Sequence, residues 1–395
     1  MTRILFMHQS SDIGGGSYCL LNIIKDLSKE TWYPIVVLKD NGPLADALKD
    51  LGIEVAFFPE MISLPYNETL FKPANIRAYI KASKKHESFK RLLHHQKIDV
   101  VYLNNMMLAP YLKDAKEFGC KTIMHVREHW PLNEHRQQLK WIRNIVYKNC
   151  DCLIAINKYS ASIFPDKDAT IVYDWVDMKS RYKAIPLNDI FGEDMTGKKV
   201  LLFTGGQSII KGADYVVNAF SNNIKGEEYR LLILGIDKLK TLSGWKHRVK
   251  LFLEHFGYYY YDKHLQEIIK SDPRIKLFPP IYELSDIIRQ AHCFVSFFSI
   301  PHANLALAEN LILGNPCIAA DTEESREYSA DGKYAKLVNP IKDLKHFSDE
   351  LTTFLDHIEY WKAQALDGAP VIAELFGKNK NIIRLNKCLN NLALK

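Results

Sequence analysis

Short apolar runs recur along the chain, separated by longer stretches patterned as helices. In the first half the runs are "ILFMH", "YPIVVL", "IEVAFF", "DVVYLN", "KTIMHV", "CLIAI" and "TIVY", and in the second "KVLLFTGG", "YRLLILG", "RIKLF", "CFVSFF", "PCIAA" and "AKLV". Strand-length runs alternating with helical segments predict parallel strands joined by crossover helices. The two series predict an α/β protein of two doubly wound, Rossmann-like domains, residues 1–180 and 198–365, facing across a cleft. Between them "KSRYKAIPLNDIFGEDMTGKK" is polar, holds Pro186, Gly192 and Gly197 and has no apolar period, so residues 181–197 read as an interdomain linker. Residues 366–395 read as a helical tail after the last strand, expected to pack back on the first domain.

Composition narrows the class. A chain of 395 residues, 47% hydrophobic and 25% charged, has the profile of a globular protein of two or three domains. The opening "MTRILFMHQSSD" turns polar after one brief apolar run, so it lacks the apolar centre of a signal peptide and reads as a first strand. The expected location is the cytoplasm, or the inner face of a membrane. Seven cysteines without a C-x-x-C pair read as reduced core thiols, and no histidine spacing suggests zinc. Asp166 and Asp168 form a D-x-D after Pro165, which reads as a solvated turn; no metal is expected.

The net charge of +6 is unevenly spread. Phe71 to Lys148 holds 16 Lys and Arg against 6 Asp and Glu, so the remainder is net negative. Two readings stand side by side: solvated helix faces, or attraction of the basic segment 72–148 to an anionic membrane. No groove-reading or aromatic-interleaved basic motif accompanies the charge, so nucleic acid is not an expected partner.

Ligands of open parallel sheets bind outside the carboxyl ends of the strands. Four stretches occupy such places. After the first strand "HQSSDIGGGSYCLLNIIKDL" brings Gly15 and Gly16 to the start of a helix, where bare N–H groups can meet an anion, although such glycines also arise for steric reasons. "LLFTGGQSIIKGADYVVNAF" places Gly205, Gly206 and Gln207 after a strand and Lys211 before a helix, where the helix dipole disfavours a cation unless an anionic ligand is present. "KTIMHVREHWPL" brings His125, Arg127 and Glu128 to a strand end, with Arg127 and Glu128 favoured as cleft residues. In "PHANLALAENLILGNPCIAAD" one carboxylate, Glu309, interrupts an apolar helix, where a charge needs a partner, either a ligand or an internal cation.

These stretches resemble the nucleotide-binding half of the GT-B glycosyltransferases, especially the large retaining family 4. The likeness is strongest over Asp286 to Pro340, where Glu309, Gly314, Pro316, Asp321, Glu327 and Gly332 match in order and spacing. "IVYDWVDM" is similar to the family segment before the hinge and "IGGGSYCLLNI" to its first glycine loop. The resemblance implies a metal-independent, retaining transfer from a nucleotide diphosphate sugar, UDP or GDP, to a glycan or lipid-linked acceptor in surface polysaccharide synthesis, with no resident cofactor. It implies that Glu309 binds the ribose hydroxyls, that Lys211 balances the leaving diphosphate, and that His302 and the N–H groups of Ala303, Asn304 and Leu305 line the donor site. In two places the chain departs from the family pattern. Pro301 stands where the family carries its first acid, and Gly206 falls near the family's arginine. A non-catalytic sugar-nucleotide-binding subunit of a glycan-assembly complex is the alternative expectation.

Overall fold

The computed structural model describes all residues except 65–72, 74–75, 78–79, 81–85, 129–135, 177–184, 282–283, 299, 301–302, 341–342 and 394–395. The chain divides into two compact units: Met1–Trp175 with Phe376–Lys395, and Val176–Leu375.

The first unit is built on seven parallel strands, β1 (Thr2–Met7), β2 (Trp32–Leu38), β3 (Glu54–Phe57), β4 (Val100–Leu103), β5 (Lys121–Val126), β6 (Cys152–Ala155) and β7 (Ala169–Ile171), in the order β3-β2-β1-β4-β5-β6-β7. Both faces are buried, which is why its strands read as continuous apolar runs. Period-two alternation sends Leu5, Met7, Val101, Leu103, Met124 and Val126 into one core. Ile4, Phe6, Val100, Tyr102, Ile123 and Ile154 enter the other, where they meet Leu20 and Ile24 of helix Gly15–Asp26. Leu385, Cys388, Leu389 and Leu392 of helix Lys378–Ala393 cover the same face. That helix is tied down by Lys378 on Asp26 and by Asn381, whose Oδ1 accepts from the Tyr173 N–H at 3.0 Å.

The second unit has six parallel strands, β8 (Lys199–Phe203), β9 (Tyr229–Leu234), β10 (Ile275–Phe278), β11 (Cys293–Val295), β12 (Cys317–Ala320) and β13 (Lys336–Val338), ordered β10-β9-β8-β11-β12-β13. Its core joins Leu201, Phe203, Leu231, Ile233 and Ile318 to Val217 and Phe220 of helix Ala213–Asn223. On the other side helix Leu305–Ile312 packs on Ile358–Leu375. The described part of the stretch read as linker folds onto this unit: Ile190 and Met195 are buried, and Glu193 holds Arg230 through two hydrogen bonds. All seven cysteines are free thiols, six of them buried.

Candidate active site

In the second sheet β8 lies between β9 and β11, so the chain runs outward from β8 in one direction and then returns to its other side. The crevice at such a reversal is where open α/β sheets hold ligands. The backbone there is shaped by glycines. Gly206 has φ +57 and its N–H donates to the Leu234 carbonyl at 3.0 Å. Gly212 has φ +79, and a Cβ on it would run into the Phe297 carbonyl oxygen just beyond β11. Gln207 is buried; its side chain accepts from the Lys240 N–H at 3.4 Å and its carbonyl accepts from the Tyr261 hydroxyl at 3.3 Å.

Lys211 comes just before Gly212. Its side chain is half-buried, no acid stands within ion-pair distance among the described residues, and burial lowers its pKa. Asp214, in the first turn of the following helix, has a buried Oδ1 with no hydrogen-bond partner among the described residues, and burial raises its pKa.

Asn304 caps helix Leu305–Ile312, its Oδ1 accepting from the Leu307 N–H at 3.3 Å while its Nδ2 donates to Ser296 Oγ at 3.0 Å. The same short segment after β11 therefore touches both Gly212 and Asn304, which draws the Lys211 loop and the Glu309 helix to one sheet edge. First-turn N–H groups such as that of Leu305 have no acceptor inside their own helix. Ala303 and Leu305 are half-buried. Glu309 has neither hydrogen bond nor ion pair among the described residues, and burial alone pushes its pKa up to about 8. Gly314, with φ +71, ends this segment where a Cβ would press on Leu366. His302 and Pro301 lie outside the described residues.

The first unit holds the other named residues. Gly14 precedes helix Gly15–Asp26, and a Cβ at Gly14 or Gly15 would meet nothing within 4 Å. The loop is anchored by a polar chain that sequence reasoning missed. Arg127 donates through both terminal nitrogens to Asp174 at 2.8 Å and through Nε to Asn104 Oδ1 at 3.0 Å. Asn104 Nδ2 donates to His8 Nδ1 at 3.1 Å and to the Gly16 carbonyl at 3.4 Å. Ser17 Oγ gives its proton to the Asp12 carbonyl, so His8 donates through Nε2 to Ser17 at 3.0 Å. This fixes the His8 tautomer, and burial, aided by the Arg127 charge, lowers its pKa to about 3. Asp174 is one of the two acids in "IVYDWVDM", but its partner lies 47 positions away.

Arg127 therefore spends its guanidinium on protein groups. Glu128 is buried, with Oε2 accepting from the N–H of Met106 at 2.9 Å and of Arg127 at 3.2 Å. Burial pushes its pKa up to about 7 against those hydrogen bonds. His125 departs most from the expectation of a cleft residue. It sits inside β5 with no exposed surface, its Nδ1 2.6 Å from the Tyr102 hydroxyl, and burial drives its pKa well down. Asp166 and Asp168 are exposed in the turn before β7, and among the described residues no three His, Cys, Asp or Glu side chains gather as a metal site would need.

Residues 198–357 match the family model described as glycosyl transferases group 1. No curated protein matches the sequence. Among solved structures the chain is similar to HepE of Anabaena in complex with UDP-glucose, at 17% identity, 100% coverage of both chains and a TM-score of 0.74. It is also similar to sucrose-phosphate synthase of Thermosynechococcus elongatus, at 13% identity, 100% of both chains and 0.72. A third is a Staphylococcus aureus MnaA–UDP structure, at 14% identity over 100% of this chain and 98% of that one, with 0.66. Two Rossmann-like units, the reversal at β8 and the likeness to these structures make this a GT-B fold, whose residues 198–357 match the glycosyl transferases group 1 model.

Proposed function

We propose that the protein is a retaining glycosyltransferase that moves a sugar from a nucleotide diphosphate donor to a glycan or lipid-linked acceptor in surface polysaccharide synthesis. One observation carries the proposal: Lys211 and Glu309, a basic and an acidic side chain, are both half-buried at one sheet edge and neither has an ionic partner among the described residues. A nucleotide diphosphate supplies both deficits, with phosphate oxygens for the ammonium and ribose hydroxyls for the carboxylate. UDP is the first choice of base, because HepE and MnaA are described with UDP or UDP-glucose, and GDP the second.

In this reading Lys211 and the N–H groups of Ala303, Asn304 and Leu305 meet the diphosphate, Glu309 clamps the ribose, and Gly205, Gly206 and Gln207 shape the backbone around the base. His302 adjoins this set in sequence. In the first unit, Gly15 and Gly16 leave the backbone at the start of helix Gly15–Asp26 open to a ligand, and Arg127 acts as a positioning residue through Asn104 and His8. With retention the acceptor oxygen bonds to the anomeric carbon on the face that the phosphate oxygen leaves. That phosphate oxygen takes the acceptor proton, so neither a protein base nor a metal is assigned a role.

Removing one preorganised charge of this kind costs about 10² to 10³ in rate. Lys211→Ala is expected to lose that much transfer in EDTA-containing buffer with its melting temperature unchanged, read by product formation from radiolabelled UDP-sugars. Transfer at the wild-type rate refutes the assignment. A nucleotide-induced thermal shift without transfer from any donor favours the non-catalytic subunit instead.

A further inference from the structure

We propose that helix Gly244–Glu254 is a docking element for an anionic lipid bilayer. The helix buries none of its residues. Trp245, Val249, Phe252 and Phe256 follow at steps of four, three and four, which puts them on one stripe. They are 70, 43, 62 and 74% exposed. The opposite side grips the protein: His247 Nδ1 lies 3.1 Å from the Tyr260 hydroxyl, Lys250 pairs with Asp262 at 3.6 Å, and Glu254 holds Lys263 at 3.0 Å. The aromatic stripe is therefore the outward face of an anchored helix.

Charge selects the occupant. Lys246 and Arg248 flank the stripe on its two sides, both exposed and without an acid at ion-pair distance among the described residues. The one acid of the helix, Glu254, is turned inward. Exposed Lys238 and Lys240 precede the helix. An aromatic stripe with cationic rims fits the boundary between headgroups and acyl chains, where rings enter the apolar layer and ammonium and guanidinium groups meet lipid phosphates. In the described part of the basic segment 72–148, by contrast, Lys90 and Lys113 pair with Glu117, Lys116 with Asp151, and Arg127 with Asp174, so part of its charge is neutralised within the protein. The loop leading to the helix leaves the carboxyl end of β9, the sheet edge that carries Lys211 and Glu309. Bilayer docking does not rest on the sugar-transfer reading.

The test is flotation of the full chain with vesicles of phosphatidylcholine alone or mixed with phosphatidylglycerol, at low and high salt. Wild type is expected to float with the anionic vesicles only, and less so as salt rises. Phe252→Ser with Phe256→Ser, and separately Lys246→Glu with Arg248→Glu, should each weaken binding at least tenfold, with circular dichroism and any UDP-induced thermal shift unchanged. No flotation of wild type at low salt overturns the proposal, as does equal binding by the serine variant. Sedimentation that shows a wild-type dimer and a monomeric serine variant, neither binding vesicles, overturns it in favour of a second copy of the chain on the stripe.

Discussion

Gly14 and Gly15 have open space where a Cβ would go, and Gly14 has φ −112, a value any residue adopts. Gly206 and Gly212, by contrast, have positive φ, and Gly212 also abuts a carbonyl oxygen. The two glycine loops are similar in sequence but differ in physical cause. The second is required by the fold, whereas nothing in the first unit requires the first. Gly15→Ala is therefore expected to raise stability, by up to about 1 kcal/mol through lower chain entropy, while transfer falls; a melting curve and an initial rate check both. Gly212→Ala should cost more than about 2 kcal/mol from strain and clash.

Glu309 invites a pH experiment. Its pKa in the fold, about 8, exceeds the ordinary 4.5, so the folded chain retains a proton that the unfolded chain has lost between those values. Stability from this group consequently falls as pH rises through that window. Glu309→Gln removes the titration, so the variant should gain in melting temperature over wild type progressively from pH 5 to 9. A difference that stays flat with pH would show that this carboxyl is not buried unpaired. The anomaly of Glu309 was legible as a lone acid among apolar neighbours, but the clamp of Arg127 on Asp174 was not, because nothing local links positions so far apart.

Among the elements, helix Lys378–Ala393 is the most exposed to test. Leu389 has no exposed surface against the first sheet, and truncating such a residue costs about 2–5 kcal/mol. Leu389→Ala should lower the melting temperature of the first unit by many degrees, read by calorimetry, without loss of nucleotide binding. The thirteen strands among the described residues were visible as apolar runs, since a parallel sheet buried on both faces needs no alternation to be recognised. The same property misled the reading of His125. Period two gives the face on which a residue lies, but not what covers that face, and here the Tyr102 and Ile123 face is closed by helices from opposite ends of the sequence. Helix Gly244–Glu254 gave no comparable signal, because its apolar stripe is flanked by cations and none of its residues is buried among the described residues.

At the scale of the molecule, two units with separate sheets and no shared core cluster imply two unfolding events. Calorimetry of wild type should resolve two transitions, and saturating UDP should raise the one belonging to Val176–Leu375, by about 2.7 kcal/mol at a hundredfold excess over Kd. A uniform shift of one cooperative peak would contradict the independence of the cores. The first unit, however, is discontinuous: the helix closing one side of its sheet is encoded after roughly 200 residues of the second unit. On the ribosome, at 5–20 residues per second, the amino-terminal sheet waits on the order of 10–40 s with the β7 side of this face lacking Leu385, Leu389 and Leu392, while the unit translated later can complete its own core. The order of folding is thus the reverse of the order of synthesis, and the nascent amino-terminal unit presents an apolar face to chaperones for that interval.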